Sequence, residues 1–115
     1  MVPGPPPPRR FTLDDARALL PRVRHLTDAA VREADDITDR LEASGEAERA
    51  HLEAALNAVV SKWVNDITAL GAVVKGLWLV DFDNGEGYYC WRHPEPDVSH
   101  FHGYDEGFAG RMKIV

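Results

Sequence analysis

Residues 77–92 read LWLVDFDNGEGYYCWR, and this stretch decides the fold. Apolar and aromatic side chains dominate on both sides of a polar centre. That centre carries Asn84-Gly85, a strong signal for a two-residue hairpin turn, because both residues readily adopt positive φ. The stretch therefore predicts two antiparallel strands, at 77–82 and 87–92.

Further strands are expected on both sides of this hairpin. The segment 93–97 contains two prolines, which cannot join a central ladder, so it predicts a turn followed by a strand at 98–102. A weaker strand candidate lies at 72–74, and the glycine-containing end, 103–115, is expected to form an ordered loop. The prediction is a small three-stranded antiparallel β-meander.

Side chains alternate across a strand, so the pairing assigns them to two faces. Pairing across the first turn places Asp81 opposite Tyr88, and pairing across the second places Cys90 opposite His100 and Tyr88 opposite His102. The face expected to pack on the rest of the protein carries Trp78, Val80, Phe82, Tyr89, Trp91 and Phe101. The other face carries Leu79, Asp81, Tyr88, Cys90, Arg92, Val98, His100 and His102.

A long helix is predicted ahead of the strands. Thr12 and Asp15 have the spacing of a capping box for a helix that starts at Leu13. Apolar side chains then recur in alternating steps of three and four as far as Leu41, the pattern of a helix packed along a partner helix. Pro21 interrupts this pattern and predicts a kink or a break in the first helix.

A second helix is predicted from about Ala47 to Leu70, after a short linker at Ser44-Gly45. Gly71 suits the position after its end, because glycine adopts positive φ at little cost. The short linker makes the two helices an antiparallel hairpin. The fold class is therefore α+β: a long antiparallel helical hairpin, with the first helix kinked near Pro21, packed on the three-stranded meander.

The helical hairpin is longer than a small sheet can cover. The second helix alone spans about 36 Å at 1.5 Å per residue. We therefore expect a homodimer or larger assembly with the helices in the interface. Residues 11–115 are expected to form this single domain, and residues 1–10, which contain four consecutive prolines, a disordered tail.

Composition excludes several classes of protein. The chain of 115 residues has a net charge of −6, which argues against general nucleic-acid binding. Its apolar runs are too short to span a membrane, and no signal peptide is recognised. The single cysteine, Cys90, excludes an internal disulfide and fits a reducing compartment, so the expected location is the cytoplasm.

The polar face of the meander is the candidate site. Imidazole, thiolate and carboxylate groups are ligands for zinc or a similar ion. The predicted metal-ligating residues are His102, Asp105, Glu106, Asp81, Cys90 and His100. No cofactor is otherwise expected, and a polar, solvated sheet face is the simpler interpretation.

Two alternatives concern single residues of this face. His102, held by Asp105 or Glu106 with Arg111 on the same carboxylates, would fasten the C-terminus to the sheet without a metal. Cys90 could be a nucleophile activated by His100 or Arg92, but a structural cysteine is the better interpretation. No catalytic residue is nominated, and whether the protein is an enzyme stays open.

The chain resembles a family of small prokaryotic proteins known as domain of unknown function 2203. The resemblance covers about residues 11–112 and rests on these groups of residues: Phe11-Thr12-Leu13 with Ala16, Leu19-Leu20-Pro21, Leu70-Gly71, Val80-Asp81-Phe82, Cys90-Trp91-Arg92, Phe101-His102 and 105–111. It implies a common fold unit and no established activity. At position 100, where this chain has His100, family members carry an aromatic residue. At position 94, where this chain has Pro94, they tend to have glycine. The residues that match the family pattern best are Asp81, Cys90, His102, Asp105, Glu106 and Arg111.

Three functions follow from the sequence. The first is a non-enzymatic interaction or scaffold module that oligomerises through its helices. The second is a metal-binding or metal-dependent protein that uses the polar sheet face and the C-terminal loop. The third is a small-molecule or nucleotide-binding module that uses Trp78, Tyr88 or Arg92.

Overall fold

The structure is a computed structural model that describes residues 9–114. Most of the predicted disordered tail lies outside these residues. The elements are α1 (Leu13–Ala43), α2 (Glu46–Ala69), β1 (Val73–Gly76), β2 (Leu79–Asp83), β3 (Gly87–Arg92), β4 (His100–Gly103), a 3-10 turn (Phe108–Gly110) and β5 (Met112–Lys113). The helical hairpin and the α+β class are confirmed.

The predicted three-stranded meander is wrong, because the described sheet has five antiparallel strands in the order β1-β2-β3-β4-β5. β1 overlaps the weak strand candidate at 72–74 and extends to Gly76. β5 lies in the segment predicted as loop, where Met112 pairs with Phe101 and the Ile114 amide donates to the Ser99 carbonyl at 2.8 Å. A strand of two residues is too short to show a period of two, so the sequence pattern does not reveal it.

The turn between β2 and β3 is centred one residue later than predicted. Asn84 Oδ1 accepts hydrogen bonds from the amides of Glu86 and Gly87, both at 2.8 Å. Gly85 has a φ of +94°. The asparagine side chain thus mimics backbone within the turn, and it draws the following residues into the loop.

This turn changes the pairing of β2 with β3 by two residues. Asp81 lies opposite Cys90, whereas the prediction placed it opposite Tyr88. A shift of two residues leaves every side chain on its predicted face. The predicted pairing of β3 with β4 is confirmed, with Cys90 opposite His100 and Tyr88 opposite His102.

Two apolar residues depart from the predicted strands. Trp78 was expected within the strand 77–82, but it lies in the turn between β1 and β2 with a φ of +61°. Its ring packs edge-on against Trp63, with centroids 4.9 Å apart. Val98 was expected on the polar face, but it precedes β4 and is buried in the core, where its carbonyl accepts hydrogen bonds from Arg17.

The core lies between the helical hairpin and the apolar face of the sheet. Trp63 of α2 and Trp91 of β3 are both buried there, as predicted. The indole N–H of Trp63 donates to Thr27 Oγ1 at 2.9 Å, and that hydroxyl donates to the Val23 carbonyl at 2.7 Å. The polar edge of this large side chain is therefore satisfied inside the core.

The predicted helix ends agree with the structure to within one residue. Thr12 and Asp15 form a capping box at the start of α1, with both hydrogen bonds at 3.1 Å. Gly71 follows α2 with a φ of +91°. The break considered at Pro21 is wrong, since α1 continues through it as one helix. Pro21 is exposed, and α1 is held in place by the packing of the helix face opposite to it. The kink near Pro21 stays a prediction.

Replacing Pro21 with alanine is expected to stabilise the protein. Proline inside a helix removes one backbone hydrogen bond, and its ring crowds the preceding turn. Because the side chain is exposed, alanine loses little packing, and we expect a gain of about 1–3 kcal/mol in the free energy of unfolding. Urea denaturation followed by circular dichroism measures it. An unchanged urea midpoint would mean that α1 bends at Pro21, so that the proline ring no longer crowds the preceding turn and its removal gains nothing.

The far end of the helical hairpin extends beyond the sheet. We call residues 31–60 the distal arm; it comprises the end of α1, the linker and the start of α2. α1 has 31 residues and a length of about 46 Å, whereas its residues in the core cluster end at Ala30. Within the distal arm only Ala34 and Ile37 are buried in the described structure.

Candidate functional site

The structure brings together three of the six predicted metal-ligating residues. Asp81 of β2, Cys90 of β3 and His102 of β4 are neighbours across three adjacent strands on the polar face. One ligand atom from each lies within 4.8 Å of the other two, and all three residues are buried. We call them the buried triad.

The other three predicted residues lie outside the buried triad, although Asp105 and Glu106 line a cavity together with His102. Asp105 and Glu106 are exposed in the loop after β4. His100 sits two residues before His102 on the same strand, and its Nδ1 lies 3.6 Å from a carboxylate oxygen of Glu95. The prediction of a single six-residue ligand set is therefore not what the structure shows.

The imidazole of His102 is held at both nitrogen atoms. Nδ1 lies 2.9 Å from the Gly103 carbonyl oxygen, which can only accept, so Nδ1 carries a hydrogen and donates it. Nε2 lies 2.7 Å from Asp81 Oδ2. Because Nδ1 is committed to the carbonyl, the contact between Nε2 and Oδ2 needs a proton, or another cation, between two groups that otherwise only accept.

Asp81 is a fully buried carboxylate with one oxygen free. Its Oδ2 meets His102, while Oδ1 has no hydrogen-bond partner among residues 9–114. Burial raises the pKa of Asp81, and the charge of His102, hydrogen bonds from Cys90 and His102 and the charge of Lys75 lower it by less, so the pKa lies above its usual range. A buried oxygen without a partner is costly, and in native proteins it calls for a specific explanation.

Cys90 is an unreactive thiol in this environment. Burial, followed by the negative charge of Asp81, raises its pKa to about 12. A thiol with such a pKa is neutral at physiological pH, and only the thiolate is a good nucleophile. The structural interpretation of Cys90 is therefore favoured over the nucleophilic one.

The C-terminal segment, residues 104–114, is fastened by a contact that the sequence analysis did not foresee. Arg111 makes two hydrogen bonds to Glu95, at 2.9 and 2.8 Å. The predicted pairing of Arg111 with Asp105 or Glu106 is wrong, and so is the pairing of His102 with those carboxylates. Glu95 lies between Pro94 and Pro96 in the turn between β3 and β4, and the prolines indicate a turn there but not a partner for the Glu95 side chain.

Glu95 organises several groups beside the buried triad. Burial raises the pKa of Glu95, but the hydrogen bonds from Arg111 and from the Arg92 amide outweigh it, and the pKa lies below its usual range. The ionised carboxylate therefore holds Arg111 over the ring of Phe108, 4.2 Å from its centroid. Arg111 also makes a hydrogen bond with the Cys90 side chain, so this arrangement covers the sheet beside the buried triad.

A cavity of about 360 Å³ opens at the edge of the buried triad. It lies between the sheet and the loop after β4, and its lining includes His102, Lys75, Tyr104 and Glu106. Lys75, which sequence analysis did not nominate, places its ammonium 4.3 Å from the ring centroid of Tyr88. The cavity gives His102 a route to solvent, although the residue itself is only 3% exposed.

Two aromatic residues of the third predicted function lie apart. Trp78 packs into the core against Trp63, whereas Tyr88 lies on the polar face against His102, with centroids 5.4 Å apart. The structure therefore does not bring Trp78 and Tyr88 into one ligand-binding surface.

The distal arm is a second candidate surface, of different chemistry. It carries eight acidic and three basic side chains and so holds most of the net charge of −6. Between the charges, apolar side chains are half-buried and belong to no core cluster: Val31, Leu41, Leu52, Ala55, Leu56 and Val60. Neither described helix has an apolar stretch long enough to cross a membrane.

The chain matches a known protein family. A family model described as an uncharacterized conserved protein (DUF2203) matches residues 9–114, nearly the whole chain. No curated protein and no solved structure matches it.

Proposed function

The chain belongs to the DUF2203 family, whose description names no activity, and from the geometry we propose a self-associating interaction module. In this proposal the distal arms of two copies pack against each other as a four-helix bundle. The two sheets then lie outside the bundle and are free to carry further binding sites.

The observation that supports this proposal is the lack of cover over the distal arm. A pair of helices can bury apolar side chains only along the line where the two helices meet. In this arm that line buries Ala34 and Ile37, and larger side chains such as Leu52 and Leu56 remain partly exposed. A second hairpin packed on the same side would remove them from water.

The negative charge of the distal arm predicts how this association depends on salt. Two acidic arms repel each other, so salt should strengthen their packing by screening the repulsion. The screening length falls from about 10 Å at 0.1 M salt to about 3 Å at 1 M. A basic protein partner bound to the same arm would show the opposite dependence, with binding weakened by salt.

Replacing Leu56 with glutamine tests the proposed interface. The substitution keeps a good helix former but removes apolar area from the contact, so we expect the dimer to dissociate about 10- to 100-fold more readily. Sedimentation velocity measures the dissociation constant, and circular dichroism checks that the helices persist. Ala54→Gln, at an exposed position of α2, is the matched control and should leave the dissociation constant unchanged. Equal behaviour of the two variants would exclude this side of the arm as the interface.

A further inference from the structure

We propose that Asp81, Cys90 and His102 form a binding site for one divalent transition-metal ion of the zinc class. This site goes beyond the proposed self-association, since it lies on the sheet and not on the distal arm. It uses one ligand atom from each residue: a carboxylate oxygen of Asp81, Sγ of Cys90 and Nε2 of His102. Binding of the ion displaces the thiol proton of Cys90 and the proton shared by Nε2 and Oδ2, and both are released to solvent.

The choice of donors favours a borderline ion such as Zn²⁺. Sulfur and imidazole nitrogen are common zinc ligands, and a carboxylate oxygen completes a mixed set. Magnesium and calcium prefer all-oxygen surroundings and would leave Cys90 and His102 unused. Three protein ligands with a fourth position open is the pattern of zinc sites that bind water or a further ligand.

The orientation of His102 is the first argument from geometry. A histidine that binds a metal through one nitrogen commonly donates its other N–H to a carbonyl or carboxylate, which sets the ring orientation. His102 already makes this contact, from Nδ1 to the Gly103 carbonyl at 2.9 Å. Its Nε2 is consequently directed into the buried triad.

The free oxygen of Asp81 is the second, independent argument. The residue is 0% exposed, yet Oδ1 makes no hydrogen bond of good geometry in the described part of the chain, and the Cys90 side chain offers Asp81 only the weak donor of a thiol. A hydrogen bond to His102 satisfies Oδ2 alone. A cation among the three residues would satisfy the carboxylate without requiring any further donor.

The distances require only a small adjustment. Metal–ligand bonds of about 2.0–2.3 Å in a tetrahedron put the ligand atoms about 3.3–3.8 Å apart. Nε2 and Oδ2, now 2.7 Å apart, would separate by less than about 1 Å, and the ligand atoms that lie up to 4.8 Å apart would draw together. The cavity is lined by His102 but not by Asp81 or Cys90, so in this proposal an ion enters past His102, and a water molecule or Glu106 from the cavity lining is the fourth ligand.

Titration of the full chain with Co²⁺ and Zn²⁺ tests the site. We expect one ion per chain and, with Co²⁺, the charge-transfer absorption that reports a thiolate ligand. At a free zinc concentration of about 100 times Kd, the melting temperature should rise by about 10 °C. Cys90→Ala should lose the absorption band, and both it and Asp81→Asn should lose the zinc-induced rise.

Exposed histidines supply the control. His25→Ala and His51→Ala remove imidazoles that lie outside the buried triad and should change neither stoichiometry nor the absorption band. Unchanged zinc binding in Cys90→Ala, or its loss in His51→Ala, would overturn the proposal. So would the absence of any zinc-dependent change in the wild type, and the contact between Asp81 and His102 would then be a structural hydrogen bond only.

Discussion

Trp63→Ala is expected to lower the free energy of unfolding by about 3–5 kcal/mol, a large part of the stability of a domain of this size. Trp63 is 2% exposed and lies where α1, α2 and the turn before β2 meet. Its removal leaves a cavity, ends the ring contact with Trp78 and takes away the hydrogen-bond donor that reaches Thr27. Equilibrium denaturation in urea measures the loss.

A matched variant separates packing from the hydrogen bond. Trp63→Phe keeps an aromatic ring but lacks the indole N–H, so it should cost less than the alanine variant. If Trp63→Ala changed stability by less than about 1 kcal/mol, the helical hairpin would not be packed on the sheet through this residue.

His102→Ala is expected to cost about 3–5 kcal/mol at neutral pH, because it leaves the Asp81 carboxylate buried without its hydrogen-bonding partner. Chemical denaturation in the absence of added metal measures this. The matched control is His25→Ala, at an exposed position of α1, which should stay within about 0.5 kcal/mol of the wild type.

The cost of His102→Ala should depend on pH in a defined direction. Burial raises the pKa of Asp81, and His102 opposes this increase, so the variant should have a still higher pKa at Asp81. A carboxyl group whose pKa is higher in the folded state stabilises the fold at low pH, and this stabilisation is lost as pH rises through the folded-state pKa. The variant should therefore be closer to the wild type at pH 4 than at pH 7. An equal loss of stability at pH 4 and pH 7 would mean that the cost of His102→Ala does not come from the ionised Asp81 carboxylate.

Local rules predicted much of the fold. The capping box at Thr12 and Asp15 and the glycine at 71 depend on neighbouring residues only, and both are confirmed. The predicted pairing of β2 with β3 is wrong by two residues, but the assignment of Asp81, Cys90 and His102 to one face is still correct. The reason is that the side-chain period of a strand is two.

Contacts between distant parts of the chain were not predictable in the same way. No local pattern indicates that Arg111 reaches Glu95, or that Met112 pairs with Phe101. His102 was expected to find its carboxylate in the following loop, but the neighbouring strand supplies it from Asp81. Strand alternation predicts Val98 on the polar face, but Val98 precedes β4, so the alternation does not apply to it and it is buried in the core.

The molecular mass of the wild-type chain in solution tests the proposed self-association most directly. Sedimentation equilibrium at tens of micromolar protein should give twice the chain mass of 12.8 kDa, with a larger dimer fraction at about 1 M than at about 0.1 M salt. A mass of 12.8 kDa at both salt concentrations would contradict the proposed self-association, because the partly exposed apolar side chains of the distal arm would then have no second copy to cover them.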